Sequence, residues 1–385
     1  MSWKLKYVML LLMWVTSLAS NATSGDVSLR GYVKTMPSFL IDEGFDEVTF
    51  NNLVHNRLNL RWRLNDNFSF TGEARNRLLY NPMFAEFPFL KDYLGSDDGL
   101  VNLTGVWLDE GRWLGVTNVD RLFVDWRQGD WQIRVGRQRV NWGINMVSNP
   151  NDLFNTYSFF DFDYPERPGA DAIRVQYFTG DLSRLELVYN PSGHSREHVA
   201  AALYAFNRNR YDFQVLAGYY RHRMAIGGGW AGSIGEMGFK GEATWFYDLE
   251  AQTNTRRGNL VAAAGVDHLF ATGTFGLFEL LYNGGHRRQG ANLVLITTPL
   301  AADNIMFSQW AMTASATHPF SPVFSANLAI MALPDAEAVF ISPGFSRSLT
   351  EDWDFEFVGQ VFTGSGNSPF SGAGSAWFLS LKYSF

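Results

Sequence analysis

Arginine dominates the polar positions in the first half of the chain, wherever polar and apolar residues alternate. The bases at these positions are Arg30, Lys34, Arg57, Arg61, Arg63, Arg75, Arg77, Arg121, Arg134, Arg174 and Arg184. The acids there are only Glu73, Asp125 and Glu186. A guanidinium group stays charged and grips carboxylate or phosphate through parallel hydrogen bonds, so the pattern predicts a surface that attracts anions. The alternative is that these arginines pair with neighbouring acids and rigidify a polar interior.

The second half of the chain shows the opposite balance at its polar positions. Its bases are Lys240 and Lys382, and its acids are Asp212, Glu242, Asp267, Glu279, Asp354 and Glu356. If the strands close around a lumen, one arc of the wall is basic and the other is mildly acidic. Such a transverse field orients dipolar solutes and concentrates anions beside the basic arc.

The elements that must hold these residues are β-strands, because apolar and polar residues alternate along residues 27–34, 57–64 and 68–78. Further strands are predicted at 119–127, 130–137, 170–178, 181–190, 197–206, 210–222, 224–232, 235–247, 257–268, 274–284, 303–315, 321–333, 336–347, 351–363 and 374–385. The total is about 18, with 16 as the alternative, because residues 226–236 are rich in glycine and residues 303–315 alternate weakly. With no amphipathic helix predicted to cover the apolar faces, lipid is the expected cover.

The connections between these strands alternate in length. Short turns are predicted at 65–67, 127–130, 179–181, 207–210, 272–274 and 349–352, and long loops at 38–51, 80–118, 138–169, 248–256, 285–302 and 364–373. Short periplasmic turns and long extracellular loops are typical of an up-and-down antiparallel barrel in the outer membrane. The fold class predicted is therefore all-β, a closed transmembrane barrel with both termini on the periplasmic side.

The composition agrees with this class and narrows the chemistry. Of 385 residues, 16% are aromatic and only 18% are charged, and beyond the N-terminus there is no apolar run long enough for a transmembrane helix. The absence of cysteine excludes disulfides and thiolate metal sites. No cofactor or metal is predicted. A net charge of −7 argues against nucleic acid as a partner.

The two ends of the chain carry further signals. Two lysines, an apolar stretch and small residues predict a signal peptide over 1–22, followed by a single barrel domain over 23–385; an uncleaved anchor is the alternative. At the C-terminus, every second residue is apolar: Trp377, Leu379, Leu381, Tyr383 and Phe385. This spacing resembles the C-terminal signal that the β-barrel assembly machinery reads in bacterial outer-membrane proteins. The alternative is the last strand of a soluble sandwich.

The loop at 138–169 is longer than a connection requires and rich in aromatic residues. It is expected to fold into the lumen and narrow the passage; the alternative is a lid on the rim or a contact with a neighbouring protomer. The residues predicted to form this constriction are Arg137, Arg139, Trp142, Asp152, Asp161, Asp163, Glu166 and Arg167. Arg137 and Arg139 fall on the apolar register, so we expect a β-bulge at Gly136 that turns them inward.

The run IRVGRQRVNWG at 133–143 resembles the GRQ…WG element of a broad group of bacterial outer-membrane β-barrels. That group includes little-characterised porin-like families and, more distantly, alginate-export-type barrels with an arginine-rich lumen. The matching residues are Gly136, Arg137, Gln138, Asn141, Trp142 and Gly143. The resemblance implies a channel in the outer membrane of a Gram-negative bacterium.

The function predicted from these features is passive diffusion of small hydrophilic, preferably anionic solutes through a water-filled lumen. The expected partners are outer-membrane lipid, the assembly machinery and the solutes themselves. One alternative is a barrel whose loop at 80–118 binds a partner protein or a polysaccharide. A transporter of hydrophobic compounds would need an apolar lumen, and an enzyme would need a nucleophile beside one of the seven histidines. No such nucleophile context is recognisable in the sequence, and the arginines disfavour an apolar lumen.

Overall fold

The structure is a computed structural model, and it describes residues 26–97, 99–156, 166–193, 196–250, 257–286, 300–366 and 368–385. The predicted signal peptide at 1–22 lies outside the described residues, as do Asp161 and Asp163 of the predicted constriction. Within the described residues, no helix is both long and apolar enough to cross a membrane.

The alternating segments form nineteen strands within the described residues. These are β1 (Asp26–Ile41), β2 (Val48–Arg63), β3 (Phe68–Tyr80), β4 (Thr104–Glu110), β5 (Trp113–Gln128), β6 (Trp131–Gln138), β7 (Ala170–Gly180), β8 (Ser183–Asn190), β9 (Val199–Arg208), β10 (Tyr211–Tyr220), β11 (Arg223–Ile234), β12 (Met237–Asp248), β13 (Gly258–Leu269), β14 (Phe275–Asn283), β15 (Trp310–Ser321), β16 (Phe324–Leu333), β17 (Ala338–Ser348), β18 (Trp353–Gly364) and β19 (Ser375–Ser384). The described helices are short: Met83–Glu86, Phe89–Leu94 and a single 3-10 turn at Pro334–Ala336.

The strands form one closed antiparallel sheet. Neighbours along the chain pair with each other, except that β3 pairs with β5, and β19 returns to pair with β1. β4 pairs only with the first half of β5, so eighteen strands close the wall and β4 extends it locally. The prediction of an all-β, up-and-down barrel of about 18 strands is confirmed.

Three predicted boundaries are wrong. β1 ends at Ile41 and β2 starts at Val48, so the long loop predicted at 38–51 covers only residues 42–47. The strand pairing extends this far because the facing rings of Phe39 and Phe50 pack 5.5 Å apart. β5 starts at Trp113 rather than 119, and the loop predicted at 80–118 also contains β4. The strand predicted at 303–315 is β15 from Trp310, because the residues before it pack inside the barrel.

The outer face of the wall is apolar and carries aromatic rings at both ends. Leu29 and Val33 on β1 are 43% and 42% exposed, and Ile226 on β11 is 55% exposed. Tyr80 and Trp113 pack with ring centroids 4.9 Å apart at the end of the long loops. Trp131–Tyr177 and Trp353–Tyr383 pairs lie at the end of the short turns. This arrangement matches an apolar band between two aromatic girdles.

The final strand closes the barrel through its last residue. Phe385 and Gly31 exchange two backbone hydrogen bonds of 2.9 Å, and a Cβ atom on Gly31 would lie 2.8 Å from the Phe385 ring. The register pairs Trp377 with Phe39 and Tyr383 with Val33, which puts the predicted assembly residues on the apolar outer face.

We expect Gly31→Val to impair closure, because the added Cβ atom would overlap the Arg57 carbonyl oxygen on β2 and lie 2.8 Å from the Phe385 ring, so both neighbours of β1 are crowded. Less of the protein should reach the folded form that resists SDS before heating, as measured by heat-dependent mobility on gels. Gly105→Val is the matched control, since nothing lies within 4 Å of a Cβ there. Equal folded fractions in the two variants would contradict this role of Gly31.

Candidate functional site

The predicted arginines of the first eight strands share the face of the sheet opposite the exposed apolar side chains. The pairing register sets Arg57 beside Arg75, His55 beside Arg77 and Lys34 beside His55. His55 is fully buried, and its ring meets that of Tyr32 edge-on at 5.2 Å. The basic arc is therefore a continuous band on one side of the interior.

A β-bulge brings an additional acid into this band. The β3–β5 register pairs Glu73 with Arg121 and Ala74 with Val119, which leaves Asp120 as the extra residue. Asp120 and Arg121 consequently both point inward. Strict alternation assigns Asp120 to the outer face, which is why the sequence did not reveal it.

Arg57 uses this acid and two others. Its guanidinium lies 2.6 Å from Asp120, 2.6 Å from Glu73 and 3.6 Å from Glu166, and its side chain is fully buried. Tyr32 also donates to Glu166, at 3.1 Å. Removing one partner from a buried pair of this kind typically costs about 3–5 kcal/mol. Arg57 therefore fixes the wall and the end of the inward loop and is not available to a solute.

Other predicted arginines are committed in similar ways. Arg77 donates to the Leu94 carbonyl at 3.3 Å and to Asn118 at 2.8 Å. Arg121 donates to the carbonyls of Glu166 and Arg167, at 2.6 and 2.8 Å. These bonds tie two long loops to the inner face of the wall.

The remaining bases are closer to water. Arg134 lies 2.7 Å from Asp125 and stacks over the Phe123 ring at 4.4 Å, with 24% of its side chain exposed. Arg174 and Arg184 both contact Glu186, at 2.8 and 3.4 Å. Three more, Arg30, Arg61 and Arg63, are exposed and form no ion pair with any residue that the structure describes. They lie at the ends of β1 and β2 next to the short turn.

The loop after β6 crosses the interior to the opposite arc. Gln214 donates to the Trp142 carbonyl at 2.5 Å. The backbone N–H of Ile144 donates to Glu242 at 3.0 Å, and that of Ser148 donates to Glu279 at 2.7 Å. We call residues 140–156 the crossing segment. Glu242 and Glu279, expected to be acids of an open wall, are instead buried acceptors that hold this segment.

Glycines on β11 make room for the crossing segment. A Cβ on Gly229 would lie 2.8 Å from Ile144, and one on Gly227 would lie 3.0 Å from Asn151. Asn151 in turn accepts a 2.7 Å hydrogen bond from Thr244. The glycine-rich stretch that made the strand at 226–236 uncertain is therefore a regular strand whose inner face seats the segment.

Two further loops fill the same half of the interior. The N–H of Ala302 donates to the Tyr220 hydroxyl at 3.0 Å, and Asn283 donates to the Met306 carbonyl at 2.5 Å. Phe370 packs on Phe362 with ring centroids 5.0 Å apart. Together with the inner side chains of β9–β18, these loops form one apolar cluster. The exposed bases lie on the other side, along the arginine arc.

The predicted bulge at Gly136 is wrong. The ladder runs in register through Gly136 on both sides, to Phe123 and to Ala172. Arg137 is nevertheless buried, because it fills the break in the wall between β6 and β4. It lies 2.7 Å from Asp97 and 2.8 Å from Asp171 and forms a bridge in the wall rather than a part of the constriction.

Two other predicted constriction residues, Trp142 and Asp152, lie in the crossing segment, whereas Glu166 and Arg167 contact Arg57 and Arg121 of the wall. Trp142 is buried and donates to Glu186 at 2.7 Å. Asp152 is buried and accepts the N–H of Asn155 at 3.2 Å. Burial raises the pKa of Asp152 to about 6, although the Asn155 hydrogen bond and the charges of Arg139 and Arg167 oppose the shift.

Comparison with solved structures finds porins. OccK2 of Pseudomonas aeruginosa matches with a TM-score of 0.58 and 9% identity, covering 94% of this chain and 98% of that one. OprD of Pseudomonas aeruginosa gives 0.57 and 8%, covering 95% and 97%. OmpF of Salmonella typhi, in complex with daunomycin, gives 0.51 and 12%, covering 93% and 97%. No protein-family model matches the chain. No curated protein sequence matches it.

The closed wall, the apolar outer band and these neighbours define the class. The chain has the fold of a bacterial outer-membrane porin, as the sequence predicted. At these identities the likeness establishes the fold alone.

We expect Glu279→Ala to loosen the crossing segment, because it leaves the N–H groups of Val147 and Ser148 without their acceptor. Each buried unpaired group costs about 1–3 kcal/mol, so the undocked fraction should rise about tenfold or more. The chain has no native cysteine, so the labelling rate of a buried Ser148→Cys probe reports docking.

The matched control for this experiment is Asp354→Ala, which removes an acid of the same arc that binds Lys382 at 3.1 Å. Faster labelling in Glu279→Ala but not in Asp354→Ala is the expected result. Equal rates in both variants and the parent would show that Glu279 does not hold the segment.

Docking should also depend on pH through Asp152. Because its pKa is raised from 3.8 to about 6 in the docked state, docking is most stable below pH 3.8 and weakens as the pH rises through 6. The labelling rate of Ser148→Cys, divided at each pH by the rate in an Asp152→Asn background, should rise between pH 4 and 6.5. A flat ratio would rule out Asp152 as the titrating group.

Proposed function

We propose that the protein is a passive outer-membrane channel for small hydrophilic solutes, with a preference for anions. One observation carries the proposal: the interior is filled on one side and bears exposed bases on the other. The crossing segment and two loops occupy the arc of β9–β18. Arg30, Arg61 and Arg63 line the opposite arc and are exposed.

The charge of the open side favours anions over neutral or apolar solutes. An exposed guanidinium group with no fixed acid partner raises the local anion concentration, and a low-dielectric wall behind it strengthens the field. Ion-paired bases contribute less, because their acids cancel the charge at a distance. The selectivity is therefore assigned to the exposed arginines and to the partly exposed Arg134 and Arg184.

An apolar solute would find little to bind along this path. The apolar side chains of the interior are already buried against one another in the cluster beneath the crossing segment. The basic arc offers charged and hydrogen-bonding groups instead. This arrangement supports the hydrophilic channel over the transporter of hydrophobic compounds.

The test is the reversal potential of the purified protein in planar bilayers under a salt gradient. The parent should conduct with anion preference. Replacing Arg30, Arg61 and Arg63 together by Gln should move the reversal potential towards that of a cation-preferring pore, because the uncompensated positive charge is lost.

A matched control removes three charges outside the interior, with Gln at Arg112, Arg208 and Arg210, which are exposed at turns or strand ends. That variant should keep the reversal potential of the parent. A silent bilayer at all voltages would refute the channel, and an unchanged potential in the first variant would refute the assignment of selectivity to these arginines.

A further inference from the structure

The carboxylate of Glu186 on β8 contacts four other side chains. Its carboxylate receives Arg174 at 2.8 and 2.9 Å and the Nε of Arg184 at 3.4 Å. It also accepts from Gln176 at 2.8 Å and from the indole N–H of Trp142 at 2.7 Å. The side chain is fully buried, whereas that of Arg184 is 36% exposed. The cluster thus has one closed side and one side that a solute reaches.

We propose that Glu186 is a tethered competitor for anionic solutes: it occupies the guanidinium groups of Arg174 and Arg184 and so limits how long a passing carboxylate stays there. The inference rests on the proposed function and concerns the same path. It makes Glu186 a specificity-determining residue, although the solute itself never needs to touch it.

The physical argument is a balance between entry and exit. Two adjacent guanidinium groups without an acid would bind a carboxylate through several charge-assisted hydrogen bonds. A channel needs binding that is favourable enough to admit the solute and weak enough to release it. A fixed carboxylate between the two arginines weakens solute binding, because the solute must share or displace existing bonds.

The Glu186 carboxylate stays in place because two of its contacts, with Trp142 and Gln176, lie away from the solute path. Trp142 belongs to the crossing segment, and its ring packs edge-on against Phe154 at 5.0 Å. Gln176 is buried beside it on β7. These two donors hold the Glu186 carboxylate when a solute approaches Arg184, so the carboxylate remains available to rebind the arginine and release the solute.

The experiment measures single-channel currents with succinate as the probe, in the parent and in Glu186→Gln. Gln keeps the shape and one acceptor for Trp142 but removes the charge. Because succinate no longer competes with a fixed carboxylate for the two guanidinium groups, its residence time in the pore should lengthen about tenfold or more. The anion preference should increase as well.

Two controls separate competition from other effects. Asp212→Asn removes one negative charge from the inner face of the opposite arc, where Asn207 is the partner, and should leave the residence time unchanged. Trp142→Phe removes one of the two hydrogen bonds that hold the carboxylate but keeps its charge and the Arg–Glu pairs, and should lengthen the residence time less than Glu186→Gln does. An equal increase in Asp212→Asn, or none in Glu186→Gln, would overturn the proposal.

A binding measurement keeps this inference separate from the channel function. Calorimetric titration of the detergent-solubilised barrel with succinate requires no conduction. If succinate binds Glu186→Gln more tightly than the parent, the proposed role of Glu186 is supported. This holds even if the bilayers show no conductance, and only the channel function would then be refuted. Equal affinity of the two proteins overturns the competitor even if the parent conducts anions.

Discussion

Every backbone N–H and C=O in the wall of a membrane barrel needs a partner, because lipid supplies none. Eighteen strands meet this requirement through an antiparallel ladder that returns from β19 to β1. At the break between β6 and β4, side chain and loop replace the missing strand: Arg137 donates to the Val119 carbonyl at 3.5 Å and to the Val101 carbonyl at 2.7 Å, while the Val119 N–H donates to Leu103 at 3.0 Å. The Arg137 charge is balanced by Asp97, whose pKa stays below its ordinary value because hydrogen bonds from Arg137, Gly99 and Leu103 outweigh the effect of burial.

Once the wall is closed, the chemistry of its inner face decides what fills the interior. Along β9–β18 the inner side chains are largely apolar, and burying them stabilises the fold by about 25 cal/mol per Å² of area removed from water. The loops that cover these side chains bring backbone N–H groups into the interior, and these groups donate to Glu242, Glu279 and Tyr220. Along β1–β8 many inner side chains are charged, and burying a charge that has no partner costs a large desolvation free energy. Composition therefore explains why loops bury the apolar arc, whereas the basic arc is buried where acids pair with groups such as Arg57 and stays exposed at Arg30, Arg61 and Arg63.

Alternation in the sequence predicts the strands, the closure and the inner face, because one residue in two must face away from water and the other must not. It fails where a strand gains a residue or a loop turns inward. The extra residue is Asp120 on β5 and not Gly136 on β6, and nothing in the local pattern distinguishes the two positions. Residues 303–309, predicted as the start of a weakly alternating strand, precede β15, and Ile305 and Met306 pack inside the barrel. The structure explains Gly227 and Gly229, because Asn151 and Ile144 lie where their Cβ atoms would be.

Counting charges along the sequence overstates the basic character of the interior. Several arginines meet acids that the sequence assigned elsewhere: Arg57 binds Asp120 from the bulge and Glu166 from a loop, in addition to Glu73. A paired charge fixes the wall, but its field falls off quickly, and beyond about 8 Å at physiological salt even unpaired charges are screened. The field that a solute meets is therefore local. It is strongest near the short-turn ends of β1 and β2, where Arg30, Arg61 and Arg63 are exposed, and weaker at each level where a fixed carboxylate such as Glu186 stands between two guanidinium groups.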